Sequence, residues 1–204
     1  MAAETSAAAN RAARQATEHA RLSARERLLA AANELFYEEG VNTVGIDRVI
    51  ERAGVAKATL YSAFGSKDEL IRAYLEQRFQ ARREHTLSGL NPVETAREKL
   101  LAVFDVLSES FAKPHYHGCA FVNAAAEARP GSPIETAVDG YRGWMRELLT
   151  QLAREAGAAD PELLAWQLHL LYDGASVSAR MDHTPQAASP ARAAAEALIS
   201  AALD

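Results

Sequence analysis

The chain has very little cysteine and no long apolar run. Its single cysteine, Cys119, excludes an intramolecular disulfide framework and is typical of a protein kept in a reducing cytoplasm. No stretch of eighteen or more apolar residues is present, and the N-terminus lacks the apolar segment of a secretory signal. We therefore expect a cytoplasmic protein of 204 residues with no membrane partner.

The sequence also lacks the common motifs of enzyme chemistry. It contains no Gly-x-Ser-x-Gly nucleophile turn, no phosphate-binding loop and no Gly-rich dinucleotide fingerprint. No pair of carboxylates stands out from ordinary helix surface. We therefore predict that the chain is not an enzyme, that it has no catalytic residues and that it needs no cofactor.

One short segment contains several potential metal ligands. His115, His117 and Cys119 lie within five residues and are side chains that zinc or copper prefers. Their spacing is not that of a standard zinc finger, and no second cluster accompanies them. We predict no metal site, and interpret the segment as a loop with a buried thiol. A metal-sensing regulator that uses these three residues remains an alternative.

The charge distribution is uneven. The net charge is −5, with thirteen Lys and Arg against twelve Asp and Glu in residues 1–90, and nine against fifteen in the remainder. The N-terminal part is close to neutral, so contact with an acidic partner must depend on individually placed cations rather than on a broad field. The arginines between Arg78 and Arg83 are interpreted as a solvated helix face.

Apolar residues recur at helical spacing through most of the chain. Ser23–Glu26 and Ser66–Glu69 are capping boxes, while Asp160–Pro161 and Ser189–Pro190 are typical helix starts. A further helix is predicted from about Val93 to Phe111. No alternating strand pattern or internal repeat is present, so the sequence predicts an all-α fold of about nine helices.

Residues 45–70 have the pattern of a helix-turn-helix. An apolar helical face ends at Gly54, where glycine enters a left-handed conformation cheaply. In the next helix Leu60 and Phe64 lie four residues apart and face the same side, which leaves small and hydroxylated residues on the opposite side. Such a helix can approach the major groove of DNA closely.

This stretch resembles the signature of the TetR family of bacterial transcriptional regulators. The residues that match are Ala53, Gly54, Val55, Thr59, Leu60, Tyr61, Phe64, Lys67 and Leu70. The chain departs from the family at Ala56, where serine is common, and at Gly45, where threonine or serine is common. Alanine cannot cap a helix, so we expect the recognition helix to begin less firmly.

The resemblance implies a domain organisation. Residues 23–69 would form the helix-turn-helix DNA-binding domain and residues 70–204 the ligand-binding and dimerisation domain, with the fourth helix as connector. Residues 1–22 are rich in alanine and are expected to form a disordered N-terminal arm. An alternative for this arm is a basic segment that lies in the minor groove.

The resemblance also implies which residues contact DNA. The base-facing positions belong to the second helix, and Tyr61 and Lys67 are expected to contact phosphate. The candidate DNA-binding residues are Gly45, Arg48, Lys57, Ala58, Thr59, Tyr61, Ser62, Ala63 and Lys67.

Aromatic residues at helical spacing in the C-terminal part suggest a site for a small, mostly apolar effector. His169 and Asp173, four residues apart on one helix, are the best polar pair within it. The candidate ligand-binding residues are Phe104, Leu107, Phe111, Phe121, Tyr141, Trp144, Met145, Leu148, Trp166, His169, Tyr172 and Asp173. Ordinary core packing is the alternative for each of them.

The last two helices have stripes of small and apolar residues at three- and four-residue spacing. Such stripes allow close helix crossings, and the family resemblance implies that they pair with a second copy as a four-helix bundle. Packing of the stripes inside the chain itself is the alternative. The candidate interface residues are Leu163, Gln167, Leu170, Leu171, Gly174, Ser178, Ala194, Ala197, Leu198 and Ala201.

These observations predict a homodimeric, ligand-responsive transcriptional repressor. It would bind a pseudo-palindromic operator in double-stranded DNA, and a small-molecule effector would release it. A helical enzyme or carrier with an incidental helix-turn-helix is the alternative from another class.

Overall fold

A computed structural model describes residues 22–203, and the predicted N-terminal arm lies outside this range except for Leu22. The described residues form nine α-helices and one short 3-10 helix, with no strand, which confirms the all-α prediction. The α-helices are α1 (Ala24–Glu39), α2 (Ile46–Ala53), α3 (Lys57–Phe64), α4 (Lys67–Leu90), α5 (Ala96–Phe111), α6 (Ala120–Glu127), α7 (Pro133–Ala156), α8 (Pro161–Met181) and α9 (Ala188–Leu203).

The chain divides into two compact units, residues 1–74 and residues 75–204. The division falls inside α4, a few residues after the predicted domain boundary between residues 69 and 70. Among the described helices, none is long and apolar enough to cross a membrane.

The first unit is held together by a small core beneath α1, α2 and α3. Leu28, Val49 and Leu60 are fully buried there, and the ring of Phe36 packs edge-on against Tyr74. Arg27 of α1 donates from Nε to the carbonyl oxygen of Ala53 at the end of α2, at 3.1 Å. This bond satisfies one of the carbonyl groups left unpaired at a helix C-terminus.

The second unit is built around α5. Nine of its sixteen residues are buried, and it contacts α7, α8 and α9. A helix buried on most of its circumference is the central element of a bundle, not a surface helix. Helices α7 and α8 pack against each other, as do α8 and α9.

Several helix ends agree with the sequence signals. The capping box of Ser23 and Glu26 is confirmed, since both reciprocal hydrogen bonds are present. Asp160 caps α8, because its Oδ1 accepts from the backbone N–H of Leu163 at 3.0 Å. Ser66 accepts from the backbone N–H of Glu69 at 3.1 Å at the start of α4.

Two predicted helix starts are wrong. Helix α5 begins at Ala96, not at Val93, because Thr95 and Glu98 form a capping box immediately before it. Helix α9 begins at Ala188, before the predicted Ser189–Pro190 start, because the 3-10 turn Pro185–Ala187 leads directly into it. In both places the cap or turn immediately before the helix sets the first residue.

Candidate functional site

The turn between α2 and α3 places the second helix. Gly54 adopts a left-handed conformation, with φ 63° and ψ 44°, and the following N–H of Val55 donates to the carbonyl oxygen of Ile50 at 3.2 Å. This geometry favours glycine, since a side chain there would be strained. Leu60 and Phe64 then turn into the core of the first unit, and Arg25 lies over the Phe64 ring at 4.7 Å.

The opposite side of α3 is exposed. Lys57, Ala58, Tyr61 and Ser62 are exposed, and Thr59 and Ala63 are half-buried beside them. Of the remaining candidates for DNA contact, Gly45 and Arg48 are exposed and Lys67 is half-buried. The structure thus places the predicted small and hydroxylated residues on one accessible helix face.

The start of α3 is weakly capped. Ala56 is the N-cap residue and provides no side-chain hydrogen bond, as the sequence predicts. Gly45 holds the same position for α2 and also provides none. The first backbone N–H groups of both helices therefore have no side-chain cap.

Two cations of the candidate DNA face are paired with carboxylates, which the sequence analysis did not anticipate. Lys57 Nζ lies 3.0 Å from Asp47 Oδ1, and Arg48 forms a bidentate pair with Glu39. The hydrogen bond to Asp47 raises the pKa of Lys57, and the hydrogen bond from Arg48 lowers the pKa of Glu39. These pairs join different helices, so spacing along one helix gives no signal for them.

The second unit contains a buried aromatic cluster. Tyr141 stacks on Phe121 with ring centroids 3.8 Å apart and planes at 10°. Its hydroxyl lies 3.4 Å from that of Tyr172, whose ring packs edge-on against Phe104. Four helices, α5 to α8, contribute to this cluster, so the structure brings together four of the predicted aromatic residues, Phe104, Phe121, Tyr141 and Tyr172.

The candidate ligand-binding residues nevertheless differ in burial. Those that are buried are Phe104, Leu107, Phe111, Phe121, Tyr141, Met145, His169 and Tyr172, while Trp144, Leu148 and Asp173 are half-buried. Trp166 is 52% exposed, and Arg146 lies over its ring at 5.3 Å. Leu148 lines a separate groove of about 320 Å³ together with Leu87 and Leu152. Trp166 and Leu148 therefore do not line the aromatic cluster.

The predicted polar pair of His169 and Asp173 is not hydrogen-bonded. His169 Nε2 lies 3.7 Å from Asp173 Oδ1, while Arg142 Nη1 lies only 2.7 Å from Asp173 Oδ2. The carboxylate therefore pairs with Arg142. Neither ring nitrogen of the buried His169 has a hydrogen-bond partner among the described residues. Burial lowers the pKa of His169, so the imidazole is neutral near pH 7.

The interpretation of the Arg78–Arg83 run as a solvated face is wrong for Arg82. This side chain is half-buried, and its Nη1 donates to Ser110 Oγ of α5 at 2.9 Å. Ser110 itself is 4% exposed. A long arginine side chain can cross a helix flank into an interior, which helical spacing does not predict.

His115, His117 and Cys119 are not grouped as ligands for one ion in the described structure. In residues 22–203 no group of three or more His, Cys, Asp or Glu side chains is placed to hold a metal ion. Cys119 is buried, and burial raises the pKa of its thiol. The carbonyl oxygen of His117 instead accepts hydrogen bonds from Asn123 and Arg180. The metal-sensor alternative thus finds no support in the geometry.

The outer face of α8 is apolar and exposed. Leu163 is 54% exposed and Leu170 63%, with Trp166 between them and Val177 and Met181 further along. All the candidate interface residues on α8 and α9 are exposed or half-buried in the single chain. A groove of about 550 Å³ runs beside Leu170, Gly174 and Ser178.

A helix-turn-helix with an accessible second helix, followed by a helical unit, defines the class of DNA-binding transcriptional regulators. Two family models agree with this: the description "Bacterial regulatory proteins, tetR family" matches residues 28–74, and "Tetracyclin repressor-like, C-terminal domain" matches residues 96–195. The chain belongs to the TetR family. It is therefore a DNA-binding transcriptional regulator and not an enzyme, as the sequence predicts.

Individual relatives support the same assignment. The structure of SCO4454, a TetR-family transcriptional regulator from Streptomyces coelicolor, is 31% identical, covers 89% of this chain and 96% of its own, and superposes with a TM-score of 0.83. The transcriptional regulator YjdC of Escherichia coli is 27% identical over 74% of this chain and 80% of its own length. The transcriptional activator FasR of Mycolicibacterium smegmatis is 35% identical over 40% of this chain and 37% of its own length.

Proposed function

We propose that the protein is a homodimeric repressor that binds a pseudo-palindromic operator and is released by a small-molecule effector. The observation that carries this proposal is the exposed face of α3, formed by Lys57, Ala58, Tyr61 and Ser62. A short helix with small outward residues fits the major groove. The description of the C-terminal family model as repressor-like favours repression over activation.

We assign direct base contact to the outer face of α3 and phosphate contact to Tyr61 and Lys67. Tyr61 is 45% exposed on the flank of α3, where its hydroxyl can donate to a phosphate oxygen. Lys67 is the first residue of α4, and a helix N-terminus favours anions. Gly45, the N-cap residue of α2, and Arg48, in its first turn, complete the proposed contact surface.

Dimerisation is proposed through the outer face of α8 and the adjacent face of α9. Five of the seven exposed large hydrophobic residues among the described residues lie on α8, namely Leu163, Trp166, Leu170, Val177 and Met181. Concentration of exposed apolar side chains on one helix is typical of a protein interface. A twofold dimer presents two copies of α3 to two half-sites.

The effector is proposed to bind among α5, α6, α7 and α8, beside Tyr141 and Tyr172. A ligand that binds more tightly to the DNA-incompetent state shifts the protein towards that state, which is sufficient for induction. The aromatic walls suit an apolar body, and the buried polar groups suit one or two polar substituents.

The DNA-binding part of this proposal is tested by fluorescence anisotropy with duplexes selected from a random library. We expect enrichment of an inverted repeat and binding of one dimer per duplex. Lys67→Ala should weaken binding to all sequences alike and lower the salt slope by about one unit. Enrichment of a sequence without twofold symmetry would contradict the dimeric arrangement.

The direction of regulation is tested separately with a reporter gene placed behind the selected operator. Repression lowers reporter expression when the protein is present. An increase would make the protein an activator, as its relative FasR is named to be.

A further inference from the structure

In the second unit, the half-buried Arg82 donates to a neutral acceptor on a neighbouring helix and not to a carboxylate. Arg82 on α4 donates from Nη1 to Ser110 Oγ at 2.9 Å, and the Ser110 hydroxyl donates to the carbonyl oxygen of Val106 at 3.1 Å. Since a hydroxyl has a single proton, its oxygen is the acceptor for Arg82. Arg82 is thereby fixed in position by a neutral group.

Within residues 22–203 no carboxylate lies at ion-pairing distance from Arg82. By contrast, Arg142 pairs with Asp173 at 2.7 Å and Arg192 pairs with Asp105 at 2.7 Å. Among the described residues, no nitrogen of Arg82 is buried without a hydrogen-bond partner, so the N–H groups that Ser110 does not use still reach solvent. The remaining N–H groups of Arg82 are therefore available for an acceptor.

Two of the titratable groups that interact with Arg82, namely Tyr141 and Cys119, are neutral near pH 7. Tyr172, Tyr141, Cys119 and Tyr116 act on Arg82 electrostatically, and its charge in turn adds to burial in lowering the pKa of His85 on the same helix. Burial raises the pKa of Tyr141 and of Cys119, which keeps the phenol and the thiol protonated. Arg82 therefore keeps its positive charge near neutral groups, while the Asp173 carboxylate in the same region pairs with Arg142.

The walls of the same region are aromatic. Phe121 stacks on Tyr141, and Phe104 lies edge-on to Tyr172 with ring centroids 6.5 Å apart. A planar carboxylate matches the fork of a guanidinium and can form two parallel hydrogen bonds with it. An aromatic ring attached to that carboxylate would contact the surrounding rings.

We propose that Arg82 is the anchor for an anionic effector, and that the effector is a small aromatic carboxylate. This inference rests on the proposed effector-responsive function and specifies the ligand class. Arg82 belongs to α4, which begins at Lys67, directly after the helix-turn-helix. The carboxylate of the ligand would thus contact the same helix that carries a proposed phosphate-binding lysine at its start.

The test uses the full chain with two probes that share one aromatic ring system, the anionic naphthoate and its neutral amide, naphthamide. Binding is measured by the fluorescence of Trp144 and Trp166 and by the shift in melting temperature. We expect naphthoate to bind at least about tenfold more tightly than naphthamide, since a charge-assisted bidentate pair is present only for the acid.

Three variants separate the anchor from general effects of charge. Arg82→Met should abolish the preference for naphthoate, and its melting temperature without ligand should be unchanged or higher, because a partly buried charge is replaced by an apolar chain of similar length. Arg83→Met removes the same charge from an exposed neighbouring position and should retain the preference. Arg82→Lys keeps the positive charge but loses the guanidinium group that can form two parallel hydrogen bonds. This variant should retain only part of the preference for naphthoate.

Equal affinity of the two probes for the wild-type chain would overturn the inference, as would an undiminished preference in Arg82→Met or no binding of either probe. Operator binding without ligand is measured alongside. If the chain binds its operator yet does not distinguish acid from amide, the anchor assignment fails while the proposed DNA-binding function stands. If operator binding itself is absent, the proposed function fails instead.

Discussion

At the scale of single residues, Ala56 is a point of weakness in the recognition helix. Its backbone already has the extended conformation of an N-cap, with φ −77° and ψ 152°, but its side chain cannot accept a hydrogen bond. Ala56→Ser should raise the free energy of unfolding by about 1 kcal/mol, since the hydroxyl would accept from a free N–H of the first turn. Denaturant unfolding measures this.

Ala58→Ser is the matched control for that change. Ala58 lies inside α3, where serine offers no cap and has a lower helix propensity than alanine. This variant should be slightly less stable than the wild type. Equal stabilisation by both substitutions would show that capping is not the cause.

The ion pair between Lys57 and Asp47 suggests a restraint on DNA affinity. Both side chains are exposed, and Lys57 is a proposed base-facing residue. Asp47→Asn should strengthen operator binding by up to about fivefold, because an exposed ion pair worth about 1 kcal/mol or less no longer competes with DNA. Fluorescence anisotropy at fixed salt measures the change.

Glu147→Gln makes the same change of charge on an exposed residue of α7, in the second unit, and should leave operator affinity unchanged. Weaker binding by Asp47→Asn would mean instead that Asp47 positions Lys57 for its contact. Equal strengthening by both variants would indicate a general charge effect.

His169 is expected to make stability depend on pH. Burial lowers its pKa in the folded state, while Asp173 raises it and Arg142 and Arg146 lower it further. The unfolded chain therefore takes up a proton near pH 6.5, whereas the folded chain does so only at lower pH, so stability is lost as pH falls below about 6.5. His169→Leu should reduce this loss, measured as the melting temperature at a series of pH values. The exposed His183, changed to Gln, should leave the profile unaltered.

At the scale of helices, Gly89 indicates a close crossing of α4 and α5. A Cβ at this position would lie 2.3 Å from Cγ2 of Val106, a stiff β-branched side chain. In Gly89→Ala, overpacking should lower the free energy of unfolding by about 1–3 kcal/mol. The higher helix propensity of alanine should offset at most about 1 kcal/mol of that loss. The denaturation midpoint reports the balance.

Gly140→Ala provides the opposite expectation in α7. No heavy atom lies within 4 Å of a Cβ built there, so only the helix propensity changes and the protein should become more stable by up to about 1 kcal/mol. If Gly89→Ala is as stabilising as Gly140→Ala, the two helices do not cross as closely as described.

At the scale of the whole molecule, the proposed dimer is the arrangement that explains why α8 is apolar on two sides. Its inner side contains buried residues such as Leu164, Leu168 and Tyr172, and its outer side exposes Leu163 and Leu170. A helix that is hydrophobic around its circumference is normally buried. The second copy would cover the outer side.

Gly174→Arg tests this arrangement. The glycine is exposed and no atom of its own chain lies within 4 Å of a Cβ placed there, so a single chain should tolerate arginine. A close helix crossing between two copies should not, and light scattering at micromolar concentration should show a monomer with unchanged helical content. Gly140→Arg adds the same side chain to α7 and should leave the dimer intact. A dimeric Gly174→Arg protein would place the interface elsewhere.

The sequence by itself determined those features that depend on neighbouring residues. The capping boxes, the left-handed Gly54 and the buried pair of Leu60 and Phe64 all follow from spacing within one or two turns of helix. The helix-turn-helix and the all-α class were predictable for the same reason, since the local pattern and the fold agree.

Only the tertiary structure decided which helix faces meet and what the long polar side chains reach. Periodicity could not distinguish the two apolar sides of α8, so Trp166 was assigned to the ligand cluster although it is exposed. Nor could it show that Asp173 pairs with Arg142 on α7, or that Arg82 turns inwards to Ser110. Each of these contacts joins residues 28 to 31 positions apart in the chain, and a flexible arginine can reach either water or the interior from the same helix position.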